Sequence, residues 1–233
     1  MASLDWLEVS RRVATGAVGV LPIGAAAKQH GHHLPMNTDQ IQTEWIATRL
    51  TEQFNILVWP TVNYGYFPAF TEYPGSCSIS EDIFQSLVAE ILKEIRRHDV
   101  KIAIVLNSGI STQSALRRAC EAVANARLIN IYDGPSLSRL SRRILQQTYG
   151  GHADERETSM MLAIDDESVI MEKTKSWDKP MRTGPLRRHD HHDCNYSPSG
   201  IIGDPTLASK KKGHMLLEAM MEDISEHLRR ILP

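Results

Sequence analysis

The sequence predicts an α/β fold with a mostly parallel sheet covered by helices on both faces. Three observations predict it. The strand-like runs are continuously apolar, helical apolar patterns separate them, and glycine or polar clusters bound each run. A strand with one wet face would alternate apolar and polar residues. AVGVLPIGA (17–25), NILVWPTV (55–62) and KIAIVLNSG (101–109) do not, so both of their faces must be covered.

Taken in order, the first run leads to a helix over 40–53, where Ile41, Trp45, Ile46 and Leu50 fall at helical spacing. Pro60 places the end of the second strand near a loop. Ser78 and Glu81 form a candidate capping box before Ile83, Leu87, Val88, Ile91, Leu92 and Ile95, which make one apolar helix face. A helix is expected from about Ser111 to Ala126, a strand at RLINIYD (127–133) and a helix over 135–148. Past residue 150, ETSMMLAI suggests a short helix, ESVIME a strand, and an amphipathic helix over about 212–231 closes the chain. There is no internal repeat and no linker, so residues 1–233 read as a single domain. The irregular segment at 173–206, rich in Pro, Gly, His and Asp, is too long for a mere connection and is a candidate active-site or interface loop.

Composition narrows the class. The chain is 42% hydrophobic and 23% charged, ordinary for a protein with a full core. A net charge of −2 gives no reason to expect nucleic acid or an anionic membrane as partner. No apolar run approaches the roughly 20 residues of a bilayer span, and MASLDWLEVSRR lacks a signal peptide's order of residues. Cys77, Cys120 and Cys194 are odd in number and far apart, which argues against a disulfide framework and for a cytoplasmic protein.

Ligands of parallel α/β sheets bind outside the C-terminal ends of the strands. Three segments fall there or close by. KQHGHHLPMNTD (28–39) follows the first strand, NSGIST (107–112) follows the third, and GGHADERETS (150–159) follows the helix ending near Tyr149. The first supplies His30, His32, His33 and Asp39, a donor set that a borderline divalent metal accepts, although a polar surface loop would carry the same residues. GGHADERETS offers His152 as an acid–base group beside Glu157, or simply a solvated acidic helix start. The tract with His189, His191, His192 and Cys194 reads as flexible and solvated before it reads as a metal site. Lys210, Lys211 and Lys212 read as a solvated patch at the start of the last helix.

The motifs together resemble the creatininase (creatinine amidohydrolase) family. LPIGAAAKQHGHHLPMNTD is similar to its LP-x-G-(S/A)-x-E-Q-H-G-x-H-L-P-x-x-x-D signature, in the manner of a branch reading A-A-A-K-E-H-G. EYPGS (72–76) resembles the family's F-P-G-T, HADERETS its H-A-x-x-x-E-T-S, and PSGIIGDPTLASKKKG its closing segment, in unbroken order over 17–213. The resemblance implies a three-layer α/β/α fold, a homo-oligomer (commonly a hexamer), and a two-metal site that hydrolyses amide C–N bonds. It places His30 and Asp39 as metal ligands, Asp39 bridging both ions, with His152 near the scissile bond and Glu157 lining the site. Gln29, His33, Ser108 and Trp177 are then candidate substrate-binding residues.

Two departures stand out. Gln29 fills the position where the branch carries a glutamate ligand, and NSGIST lacks the histidine of the family's N-G-H-G-G-N. The expectation is a hydrolase of a small cyclic or N-acyl amide using a divalent metal, zinc first with manganese or iron as alternatives, and with one ion or none in place of two. The competing expectation is a chain that has lost the hydrolytic metal and serves as a binding protein or a metal-free enzyme of cyclisation, dehydration or isomerisation.

Overall fold

The computed structural model describes residues 1, 3–181, 186 and 196–232. Its centre is a four-stranded parallel sheet in the order β2-β1-β3-β4, formed by β1 (Val18–Ile23), β2 (Ile56–Val58), β3 (Ala103–Asn107) and β4 (Ala126–Asn130). β1, β2 and β3 lie within the runs predicted from continuous apolarity, and β4 starts at Ala126, one residue before the strand expected at 127–133. The register sets Leu21 beside Val105 and Ile23 beside Asn107, so the C-terminal ends of β1 and β3 lie side by side.

Successive strand residues point to opposite faces, and each face has its own core. Val18, Val20, Ile104 and Leu106 pack against α2 (Thr38–Thr51), α6 (Glu155–Ile164) and α7 (Lys210–Ile231), through Ile46, Leu50, Met160 and Leu217. Leu21, Ile23, Ala103 and Val105 pack against α3 (Glu81–Arg97) and α4 (Gln113–Glu121), through Phe84, Leu92 and Leu116. The result is the three-layer α/β/α arrangement. α5 (Pro135–Ile144) packs on α7, and an N-terminal helix α1 (Trp6–Ala14), capped by Asp5, precedes the first strand.

Several local expectations give way to specific contacts. The Ser78–Glu81 capping box does not form. The hydroxyl of Ser78 accepts the N–H of Phe67 at 2.9 Å, and α3 starts after Ser80, whose side chain makes no capping bond. ESVIME is not a strand. It forms 3₁₀ turns at Asp166–Ser168 and Met171–Lys173, because α6 ends at Ile164 and the described sheet has no neighbour to offer there. Lys212 differs from a purely solvated lysine: its half-buried side chain pairs with the buried Glu155 and donates to the carbonyl of Leu207 at 2.9 Å. The tract of His189, His191, His192 and Cys194 lies outside the described residues.

α6 and α7 approach so closely at Gly213 that a Cβ there would sit 1.8 Å from the carbonyl oxygen of Ser159. Backbone cannot retreat as a side-chain tip can. Gly213→Ala is therefore expected to force the two helices apart and to cost about 2 kcal/mol or more, the upper part of the overpacking range. A drop in the urea unfolding midpoint at unchanged slope measures it.

Candidate active site

The sharp end of β1 creates the site. At Gly24 the chain passes so close to the start of α2 that a Cβ would lie 2.6 Å from the carbonyl oxygen of Asp39. The loop between them returns over the sheet edge, turning at Gly31 with φ +71°, and brings His30 back onto Asp39. His30 Nε2 lies 3.1 Å from Asp39 Oδ1, and both residues are buried.

The second half of the site comes from the start of α6. Asp154 caps that helix by accepting the N–H of Glu157 at 2.9 Å. Ala153 ahead of it adopts φ +49°, a left-handed conformation uncommon without glycine, and its N–H donates to Glu157 Oε2 at 2.5 Å. The backbone on either side of the cap thus fixes the Glu157 carboxylate and the His152 ring together. His152 Nε2 donates to the carbonyl of Gln29 at 2.7 Å, and its Nδ1 faces Glu157 Oε2 at 3.8 Å. The rings of His30 and His152 are 4.7 Å apart, and that of Phe70 lies 4.1 Å from His152.

His30, His152 and Glu157 each offer a ligand atom within 4.8 Å of the others. Both imidazoles are oriented by backbone carbonyls, His30 Nδ1 by Lys28 O at 2.9 Å and His152 Nε2 by Gln29 O. That is the outer support a metal-binding histidine needs, since it leaves the opposite nitrogen aimed at the site. With the Nδ1 proton committed, His30 Nε2 can meet Asp39 Oδ1 only through a second proton or a shared cation. The donor set fits one divalent ion.

A cation is already present on the other oxygen. Lys28 Nζ is 2.6 Å from Asp39 Oδ2, and the lysine is 7% exposed. Burial would raise the Asp39 pKa, but the Lys28 ammonium and His30 outweigh it and hold the carboxyl far below the usual range. Glu157 goes the other way, raised by burial with help from Asp39 against the opposing charge of His30. His152 is pushed well below its usual value by burial and by the nearby His30 and Lys28, so it is neutral at pH 7.

Two cavities flank the Lys28–Asp39 pair. One of about 20 Å³, lined by Lys28, Asp39 and Ser108, has room for about one water. The other, about 310 Å³, is lined by Lys28, Phe70, His152, Arg156, Glu157 and Tyr132 among others.

The Creatinine amidohydrolase description of the Creatininase family matches residues 2–228. The chain belongs to the creatininase family. It is 27% identical over 255 residues to a creatinine amidohydrolase of Pseudomonas putida, covering 100% of this chain and 97% of that protein. It is 26% identical over 225 residues to a mycofactocin precursor peptide peptidase of Mycolicibacterium smegmatis, covering 92% and 85%. The solved structure described as "Creatininase Mn" superposes with a TM-score of 0.87 at 23% identity, covering 100% of this chain and 98% of that one.

Within this creatininase-family chain the other predicted residues take distinct places. Gln29 is spent on the backbone, its Nε2 donating to Gly200 O at 2.9 Å and its Oε1 accepting from Gly31 N at 2.8 Å. His33 Nε2 meets the Thr158 hydroxyl at 2.8 Å, away from both cavities, and His32 is exposed. Ser108 lines both cavities while its hydroxyl donates to Ile23 O at 3.2 Å. Trp177 packs with Leu34, Ile41 and Ile201 and pairs its backbone with Gly203, which pins the long loop. Sequence reasoning passed over Lys28 and Arg156. The available signal for Lys28 was a lone ammonium two residues before His30 in a segment bound for the interior.

Burial, then the charges of His30 and His32, lowers the His33 pKa from 6.5 to about 4. Between those values the unfolded chain takes up a proton that the folded one refuses. Stability from this group is complete above pH 6.5 and is lost as pH falls toward 4, by about 3 kcal/mol at most. His33→Gln, which can keep a bond to Thr158, is expected to flatten that part of the pH–stability curve in denaturant titrations.

Proposed function

We propose that this chain is a metal-dependent amidohydrolase that cleaves a C–N bond of a small cyclic or N-acyl amide. The observation that carries the reading is the convergence of His30, His152 and Glu157 beside a buried Asp39. His30 and Asp39 would hold one divalent ion, with Glu157 or His152 as the further donor, zinc by the imidazole and carboxylate chemistry, with manganese or iron able to use the same donors. When bound, such an ion lowers the pKa of water toward ~7 and polarises the amide carbonyl.

The chain's own residues do the rest. His152 is neutral and presents Nδ1, so it can take the proton released as water attacks and pass it to the leaving nitrogen. The carbonyl of Gln29 orients that ring, and Glu157 Oε2 lies 3.8 Å from its Nδ1. Lys28 sets its ammonium 2.6 Å from Asp39 Oδ2, so that oxygen already has a resident cation. A cavity of about 310 Å³ suits a small substrate better than an extended peptide.

The Lys28–Asp39 pair also favours a second reading, a metal-free enzyme or binding protein, because the carboxylate already has a counter-ion. A cytoplasmic homo-oligomer, hexameric by resemblance, and a single domain over 1–233 complete the proposal. Trp6, Ile83 and Ile110 are apolar and more than half exposed, which supports association between copies, and light scattering reports the mass.

Elemental analysis after purification with added zinc or manganese is expected to find close to one ion per chain. Glu157→Gln is expected to lower amide hydrolysis about 100-fold or more. Native turnover that persists in chelator, with no bound ion, would replace the first reading by the second. Lys28→Met strips Asp39 of its counter-ion and should cost about 3–5 kcal/mol in denaturant. Added divalent ion should restore more stability to Lys28→Met than it gives the wild type.

A further inference from the structure

We propose that the cavity beside His152 selects a substrate carrying a carboxylate, and that Arg156 is the residue that binds it. The inference rests on reading this cavity as the substrate pocket.

Arg156 stands between two carboxylates in sequence, yet pairs with neither. Glu155 turns inward to Lys212 and also accepts the N–H groups of Gln146 and Gln147. Glu157 is held by the N–H of Ala153 and faces His152. Asp154 is used as the helix cap and by Gln147 and Gly151. The guanidinium of Arg156 instead lies over the ring of Tyr132, 4.6 Å from its centroid, and lines the cavity of about 310 Å³. Its Nε is buried with no hydrogen-bond partner, and no ion pair reaches the guanidinium among the described residues.

A buried donor left unpaired costs free energy, so Arg156 Nε is a donor that a ligand entering the cavity can satisfy. Burial would weaken its charge, but Asp154, Tyr132 and Glu157 outweigh burial and keep it protonated. Lys28, the other cation on the cavity, is already committed to Asp39. Arg156 is therefore the cation of this lining, among the described residues, that no carboxylate holds. Its planar fork matches a carboxylate through two parallel hydrogen bonds, a geometry that a lysine does not offer. Phe70, Met181, Leu186 and Ile202 add apolar lining to the same cavity, and a less watery surrounding strengthens a charged contact. The substrate would then present its amide to His152 and its carboxylate to Arg156.

Calorimetry on the full chain with matched probes tests this, with chelator present so that neither metal nor turnover enters. L-pyroglutamate is compared with 2-pyrrolidinone, and N-acetylglycine with its amide. The acid of each pair is expected to bind at least about tenfold more tightly. Arg156→Gln should weaken the acid alone and level the pair, and Arg156→Lys should recover part of the difference. Equal binding within both pairs, no binding of either acid in the millimolar range, or a preference surviving in folded Arg156→Gln would overturn the proposal. Acid selectivity without hydrolysis would overturn the hydrolase reading and leave this one standing. Hydrolysis that ignores the carboxylate would do the reverse.

Discussion

A carboxylate that is 2% exposed cannot remain ionised without cations at contact distance, and Asp39 organises its surroundings around that demand. It lies in the first turn of α2 against the end of β1, where Gly24 allows backbone to touch backbone. Lys28 and His30 must reach it from the same loop, which fixes the path of residues 25–37 over the sheet edge. His30 in turn stands against His152, and the carbonyl of Gln29 holds that second ring. One buried charge thus ties the β1 loop to α6 across more than a hundred residues of sequence.

The start of α6 shows how helix geometry divides chemistry among neighbours. Consecutive residues on a helix point about 100° apart. Glu155, Arg156 and Glu157 therefore reach three destinations: the α7 lysine, the cavity and the cluster with His30 and His152. What reads as a run of alternating charge on a solvated helix start is a buried structural pair, a free guanidinium and a positioned carboxylate. The two roles of cap and site are coupled, because Asp154 shapes the turn that aims Glu157.

The two segments read as departures from the family motif have structural uses in this chain. The Gln29 amide braces the loop between Gly31 and Gly200. In the NSGIST turn Asn107 holds Gly109, Thr112 and Asn130, so that segment keeps its shape without offering a ligand. The ammonium of Lys28 supplies Asp39 with a counter-charge from within the chain.

The sequence by itself determined the sheet, the helices that cover it and the neighbourhood of His30, Asp39, His152 and Glu157. Continuous apolar runs bounded by glycine or polar clusters and separated by helical patterns suit strands buried on both faces. The same reasoning failed at ESVIME and at Ser78, where an apolar stretch and a hydroxyl found partners that local pattern does not encode. Only the tertiary structure decided where the long cationic side chains go. Lys28 and Arg156 have several rotatable bonds, and their ends are placed by Asp39 and Tyr132, residues distant from them in the chain or on another element. Spacing fixes a Cα position, whereas the charge at the tip of a flexible side chain is fixed by what it meets.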